Sequence, residues 1–150
     1  MSTLLSTPDE TTLQLTAGLD DLELIRRFIE RRASILGADP STVYDVDLAV
    51  TELVTNSLVH GYPERRGWIE VALRLEDGVL VACLRDRAAR FDPTQAPEPD
   101  LTTPLDQRRF GGLGLHLTRQ VVSRMEYRSL PEGGNEITLV FPSPRTGQSA

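Results

Sequence analysis

A carboxylate and a carboxamide stand four residues apart in the segment between residues 39 and 61. If this segment is helical, Glu52 and Asn56 project from the same face, one turn apart, and Asp45 lies on the same stripe. Most of their neighbours are apolar, so these polar groups need partners or must line a cavity. The spacing alone leaves two interpretations open, a solvated polar stripe and a pair of binding-site residues.

Two other segments carry residue types that could bind a ligand. Asp86 ends an apolar run and precedes a long loop, where its carboxylate could accept a hydrogen bond from a ligand amine or begin a turn. Gly111, Gly112 and Gly114 stand at a predicted helix start, where glycines let a phosphate approach the backbone and the helix dipole favours an anion. They could equally be loop glycines, and the sequence lacks the Gly-Lys-Ser/Thr of a P-loop.

The elements that position these residues follow from hydrophobic periodicity. Helices are predicted from Asp20 or Asp21, as the cap, to Leu36, and over residues 39–60 and 111–124; strands are predicted over residues 11–16, 68–75, 79–86, 125–130 and 137–141. Consecutive strands joined by tight turns pair antiparallel, which excludes a Rossmann or P-loop sheet. We therefore predict an α+β fold, a two-layer α/β sandwich in which an antiparallel-dominated mixed sheet carries helices on one face.

The chain length fits one domain, which we place at residues 11–142. Residues 1–10 and 143–150 are rich in small and polar residues, and we expect a flexible N-terminus and a flexible tail there. Residues 91–110 form a long aperiodic connection with four prolines. A connection of this length is either functional or disordered, and we favour a lid over the site.

Composition narrows the function classes. The net charge of −6 argues against direct binding of nucleic acid. All cationic side chains are arginine, so a catalytic or phosphate-binding lysine is excluded. The single cysteine, Cys83, sits in an apolar stretch and is expected in the core. Neither a secretory signal nor an apolar run long enough to span a membrane is present, which favours a cytoplasmic location.

The order of the motifs resembles the GHKL, or Bergerat-fold, ATPase family, which includes the histidine-kinase-like ATPases. Glu-x-x-x-Asn is followed by His-Gly-Tyr, then by an aspartate at a strand end, a long loop, and Gly-Gly-Leu-Gly-Leu at a helix start. Residues 51–62, TELVTNSLVHGY, are most similar to the bacterial anti-sigma factor serine/threonine kinases. The resemblance covers roughly residues 11–141.

This resemblance implies a role for each matching residue. Glu52 corresponds to the general base that activates the attacking hydroxyl, and Asn56 to the residue that coordinates Mg²⁺ on the phosphates of ATP. Asp86 corresponds to the acceptor of the adenine amino group. Gly112 and Gly114 correspond to the glycines that shape the phosphate loop and the lid hinge.

Three further positions lie in or beside these motifs and could affect nucleotide binding. Asn135 stands where the family has threonine, and we expect it to hydrogen-bond near adenine. Arg109 precedes the glycines and could reach the terminal phosphate, with a solvated arginine as the alternative. The family's Asp-x-Gly-x-Gly is Asp86-Arg-Ala-Ala-Arg90 here. If the position of Ala88 needs a positive φ, alanine costs about 1 kcal/mol or more and weakens ATP binding.

The resemblance implies an ATP- and Mg²⁺-dependent serine/threonine protein kinase that acts by partner switching. It would phosphorylate an anti-sigma factor antagonist protein, bind a sigma factor and form a homodimer. The main alternative is a non-catalytic partner-switching module with weak or lost ATP binding. Ala88 and Ala89 favour this alternative, whereas the intact Glu52 and Asn56 favour the kinase. A third possibility is ATP hydrolysis without a protein substrate.

Overall fold

The computed structural model describes residues 3–4, 11–95 and 112–142, which contain six strands and three α-helices. The strands are β1 (Thr3–Leu4), β2 (Thr12–Ala17), β3 (Gly67–Glu76), β4 (Val79–Asp86), β5 (Arg124–Ser129) and β6 (Asn135–Val140). The helices are α1 (Leu22–Ile35), α2 (Pro40–Asn56) and α3 (Gly112–Val121). Periodicity predicted all of these elements to within a few residues, except β1.

The strands form one sheet in the order β1-β2-β3-β4-β6-β5. All pairings between described strands are antiparallel, so this part of the sheet lacks the parallel component of a mixed sheet. The chain leaves the sheet after β4, and β6 returns beside β4. This pairing places Asp86 opposite Asn135, which is 49 residues later in the sequence.

The hydrophobic core lies between the sheet and the helices. Along β2 and β3 buried residues alternate with half-exposed ones, and Leu13 and Leu15 of β2 lie in the core. The helices contribute apolar residues at helical spacing: Ile25, Ile29, Ala33, Val46, Ala49, Val50, Leu53 and Val54. The predicted two-layer α/β sandwich with helices on one face is therefore confirmed.

Helix α2 carries the first motif and changes geometry at its end. Asp39 caps the helix by accepting a hydrogen bond from the Thr42 amide at 2.7 Å, and Pro40 occupies the first turn, where its missing N–H costs nothing. After Asn56 the helix widens into a π-helical turn, Ser57–Gly61. The predicted end of this helix near residue 60 is confirmed. Its last turn is wider than a turn of an α-helix, a feature often found at functional sites.

The side-chain cap predicted for α1 is wrong, because no side-chain hydrogen bond among the described residues caps this helix. Asp21 immediately precedes the helix, yet its carboxylate does not cap α1. It accepts a hydrogen bond from the Gly18 amide at 2.9 Å and pairs with Arg66. A short 3₁₀ turn at Leu19–Asp21 therefore leads into the helix.

The sheet face away from the helices carries a row of paired polar side chains. Arg85 donates to Glu70 at 2.9 Å and to Glu136 at 2.6 Å, and Arg128 donates to Glu136 at 3.1 Å. Gln14 extends the row to β2 through a hydrogen bond with Glu70. The hydrogen bond from Arg128, followed by that from Arg85, lowers the pKa of Glu136. Such cross-strand pairs help to fix the register of the strands.

Several expectations concern the ends of the chain and its buried cysteine. Thr3–Leu4 pairs with β2, so two residues of the expected flexible N-terminus form an edge strand. The rest of residues 1–10, and residues 143–150, lie outside the described residues.

Cys83 is buried as expected, and burial raises the pKa of its thiol. None of the described helices is long and apolar enough to cross a membrane.

Candidate functional site

Asn56 ends α2 and faces a cavity. Its side chain is 7% exposed, and no hydrogen bond joins its amide to another residue in the described part of the chain. The amide borders the cavity, so its donor and acceptor positions are available to a bound molecule. Glu52 lies one turn earlier on the same face and is half-buried.

Gly114, in the first turn of α3, lies against Glu52. A Cβ at Gly114 would overlap the Glu52 carboxylate, so only glycine fits there without displacing that side chain. The Thr118 hydroxyl, which is fully buried, donates to the Gly114 carbonyl at 3.0 Å and holds this turn. The first motif and the glycine motif, 62 residues apart, are thus in contact, and the α3 N-terminus stands beside the carboxylate.

Asp86 is 3% exposed, and its carboxylate is held by three donors. Oδ1 accepts from the Ala88 amide at 3.1 Å and from Asn135 Nδ2 at 2.9 Å, and Oδ2 accepts from the Ser57 hydroxyl. A carboxylate offers about four lone-pair positions, so one remains on Oδ2. Because Asp86 lines the cavity, this position suits a donor on a bound molecule.

The cavity has a volume of about 210 Å³ and combines apolar walls with a few converging polar groups. Pockets of this composition are typical of small-molecule sites. Its lining residues come from the end of α2, the end of β4 with the segment after it, and the start of β6: Leu53, Asn56, Ser57, His60, Gly61, Asp86, Ala88, Ala89, Arg90, Phe91, Asn135 and Ile137.

Ala88 adopts an ordinary backbone conformation. The described non-glycine residues with positive φ are Glu64 and Asp77, so the position of Ala88 does not need glycine's conformations. Its buried methyl group instead packs against Gly61, where a Cβ would overlap that of Ala88. The backbone penalty considered for Ala88 is therefore absent from this fold.

Gly134 and Tyr62 hold the strand ends that carry Asp86 and Asn135. Gly134 has φ +114°, and a Cβ there would overlap the Asp86 carbonyl oxygen. The Tyr62 hydroxyl accepts from the Arg87 amide at 2.6 Å and donates to the Trp68 carbonyl at 2.9 Å. Burial raises the pKa of Tyr62, which keeps the phenol protonated and able to donate.

The structure brings together most of the residues singled out from the sequence. Asn56, Asp86 and Asn135 line one cavity, and Glu52 touches Gly114. Gly112 begins α3. Arg109 and the rest of residues 96–111, which include most of the predicted lid, lie outside the described residues.

Sequence reasoning missed Ser57 and Tyr62. Ser57 follows Asn56 directly, and the π-helical turn lets its hydroxyl reach Asp86. Tyr62 belongs to the His-Gly-Tyr element but received no role of its own. The available signal was a polar residue at an otherwise apolar helix end, which does not by itself specify a partner 29 residues away.

Comparison with known proteins agrees with this geometry. Residues 15–141 match the histidine kinase-like ATPase domain. The chain is 32% identical to the serine/threonine-protein kinase BtrW of Bordetella bronchiseptica over 65% of this chain and 66% of that protein. It is 31% identical to the anti-sigma F factor of Bacillus subtilis over 63% of this chain and 66% of that protein. The match therefore spans just under two thirds of these relatives' length.

A longer match has lower identity. The serine-protein kinase RsbW of Staphylococcus epidermidis is 28% identical over 90% of this chain and 87% of that protein. A crystal structure of the RsbU and RsbW domains of a Mycobacterium tuberculosis protein superposes with a TM-score of 0.57 and 25% identity, covering 91% of this chain and 34% of that chain. With the family match extending over most of its length, the chain belongs to the histidine kinase-like ATPase domain family.

Proposed function

We propose that the chain binds ATP, with the adenine amino group donating to Asp86. The observation that carries this proposal is the buried Asp86 carboxylate, which lines the cavity and which three protein donors hold, leaving one acceptor position on Oδ2. An exocyclic amine is a donor of the required kind. Asn135 lines the same cavity, and the family's use of ATP supports the assignment.

Next, we propose that the phosphates and Mg²⁺ lie toward Asn56 and the start of α3. The Asn56 amide oxygen is a hard ligand of the type that Mg²⁺ accepts alongside phosphate oxygens and water. It lines the cavity and has no hydrogen bond to another described residue, which fits such a role. Bound Mg²⁺ would offset the phosphate charge. Backbone amides at Gly112 and Gly114, with Arg109 preceding them, would bind the phosphate oxygens.

We further propose a protein kinase that phosphorylates a serine or threonine of an anti-sigma factor antagonist and also binds a sigma factor. The relatives named as serine/threonine-protein kinase and anti-sigma F factor support both halves of this proposal. Glu52, one turn from Asn56, would take the proton of the attacking hydroxyl. A homodimer in the cytoplasm completes the proposal.

Titration with nucleotide tests the first part. Calorimetry should show ATP and ADP binding that strengthens with Mg²⁺, and Asp86→Asn should weaken it, because the amide replaces one acceptor oxygen with a donor. An unchanged affinity in Asp86→Asn would remove the adenine assignment. Absence of binding at millimolar nucleotide would remove the proposed ATP site.

Transfer of labelled phosphate from ATP to a purified candidate antagonist tests the second part. Glu52→Gln should keep nucleotide affinity and lose transfer, because the amide preserves the shape and removes the basicity. Asn56→Ala should weaken Mg-nucleotide binding itself. Glu132→Gln, which changes an exposed carboxylate in the β5–β6 turn, is the matched control. Equal loss of binding in both site variants would contradict the division of roles.

The alternative, a partner-switching module without phosphate transfer, was favoured by Ala88 and Ala89. The ordinary backbone conformation of Ala88 removes the strain argument for it. The same transfer assay separates the two functions. A wild-type protein that binds sigma factor and antagonist but transfers no phosphate would support the module.

A further inference from the structure

Asn135 uses its whole hydrogen-bonding capacity within the protein. Its Oδ1 accepts from the Phe91 amide at 2.9 Å and from the Tyr127 hydroxyl at 2.7 Å. Its Nδ2 donates to Asp86 Oδ1 at 2.9 Å and to the Ala89 carbonyl at 3.0 Å, with a longer contact to the Ala88 carbonyl at 3.5 Å. A carboxamide has two acceptor and two donor positions, so all four are filled. With 3% of its surface exposed, Asn135 has no free position to offer a nucleotide.

We propose that Asn135 is a positioning residue, which acts on the nucleotide through Asp86 instead of contacting it. The proposal rests on the proposed ATP site and refines the expectation that Asn135 hydrogen-bonds near adenine. It assigns Asn135 two tasks: to orient the Asp86 carboxylate and to hold the segment 88–91 against the start of β6.

The orientation of Asp86 depends on donors from different elements. On Oδ1, the Ala88 amide comes from the residue after next, and Asn135 Nδ2 comes from the neighbouring strand. Ser57, in the π-helical turn after α2, donates to Oδ2. Hydrogen bonds to a charged acceptor are among the stronger ones. Without Asn135 Nδ2, the carboxylate loses its donor from β6, and the direction of its free Oδ2 position is no longer fixed.

The second task links the cavity to the loop that begins there. Asn135 binds the Ala89 carbonyl and the Phe91 amide, and both residues line the cavity. One side chain therefore holds both the proposed adenine acceptor and a stretch of backbone that lines the cavity.

Two variants separate these tasks. Asn135→Asp keeps an oxygen that can accept from the Phe91 amide and Tyr127. It replaces the donor to Asp86 and Ala89 by a second carboxylate oxygen, which repels the Asp86 carboxylate when both are ionised. Asn135→Ala removes all of the side-chain hydrogen bonds of Asn135. Ser129→Ala, at the exposed position paired with Asn135 on β5, is the matched control. Thermal unfolding of each variant establishes that the proteins are folded at the temperature of the assays.

The first measurement is amide hydrogen exchange of the protein without nucleotide. Asn135→Ala should speed exchange at Phe91 and at Ala88. Asn135→Asp should leave Phe91 near its wild-type rate and speed exchange at Ala88, because Asp86 loses its orientation. Unchanged exchange at Ala88 in both variants would overturn the positioning role.

The second measurement is the affinity ratio of ATP to purine riboside triphosphate, which lacks the 6-amino group. Wild-type protein and Ser129→Ala should prefer ATP by roughly tenfold or more, the factor expected for one hydrogen bond to a charged group. In both Asn135 variants the ratio should fall toward one, as in Asp86→Asn. General damage, or a direct contact of Asn135 elsewhere on the nucleotide, would weaken both ligands and keep the ratio, which would overturn the proposal.

A wild-type protein that binds neither ligand, or binds both equally, would refute the proposed hydrogen bond from the adenine amino group to Asp86. In that case exchange at Ala88 in Asn135→Asp decides the positioning role by itself. Faster exchange supports the role, and unchanged exchange overturns it.

Discussion

Gly61 and Ala88 lie side by side at the cavity, and the space between them holds one methyl group. We predict that a methyl group is tolerated at position 61 only if position 88 has none. A Cβ on Gly61 would overlap the Ala88 Cβ. Ala88 is 6% exposed, so its methyl group cannot move freely into solvent. Gly61→Ala and Ala88→Gly are therefore predicted to be coupled.

The change in the free energy of unfolding of each variant is estimated from overpacking, burial of the methyl group and the entropy of the unfolded chain. Gly61→Ala brings two carbons well inside their normal separation of about 3.5–4.0 Å, and such overpacking costs about 1–3 kcal/mol. Because Gly61 has no positive φ, replacing glycine in a helical turn offsets about 0.5–1 kcal/mol. Ala88→Gly removes a buried methyl group, about 0.8 kcal/mol, and adds unfolded-state entropy worth about 0.4–1 kcal/mol.

The double variant should recover the overpacking cost, because the new methyl group at position 61 occupies the space left at position 88. We therefore expect a coupling free energy of about 1–3 kcal/mol in a double-mutant cycle measured by urea unfolding. The control cycle pairs Gly61→Ala with Ala89→Gly, since Ala89 is an exposed neighbour. Additivity of the Gly61 and Ala88 changes to within about 0.5 kcal/mol would refute the shared-space argument.

Three further predictions concern other parts of the fold. Gly114→Ala should displace the Glu52 carboxylate and reduce phosphate transfer more than ATP affinity; an equal loss of both would contradict this. Because the folded pKa of Glu136 is lowered, its stabilising contribution is full above the ordinary glutamate pKa, roughly 4.3, and is lost as the pH falls through the lowered value. Glu136→Gln should therefore flatten the acid side of a stability–pH profile, and an unchanged slope would exclude this contribution. Burial raises the pKa of Cys83, so a thiol reagent at neutral pH should modify the native protein far more slowly than the urea-unfolded protein; equal rates would contradict burial of the thiol.

Local sequence patterns were sufficient to predict the helices and strands and the candidate residues that they carry. The cap at Asp39, the helical stripe of Glu52 and Asn56, and the hairpin turn after Glu76 depend on neighbours within a few positions. Such features follow from propensity, spacing and turn chemistry, which a single sequence displays. The exceptions were also local: the 3₁₀ turn before α1 and the two-residue strand β1 give weak periodic signals.

The site itself depended on contacts between distant residues. Return of β6 beside β4 places Asn135 on Asp86, and packing of α3 on α2 places Gly114 against Glu52. No local period encodes a partner 49 or 62 residues away, because strand order and helix packing are chosen by burial of the whole core.

The sequence by itself determined the fold class, the order of the motifs and the chemical type of each candidate group. It also pointed to Ala88 as a departure from the family pattern, but only the tertiary structure gave that residue an ordinary φ and a matching space at Gly61. In the same way, the sequence made Asn135 a possible nucleotide contact, and only the structure filled all four of its hydrogen-bonding positions. The physical reason is common to both: residue type fixes what a side chain can do, whereas the positions still free to do it depend on which groups the folded chain has already brought into contact.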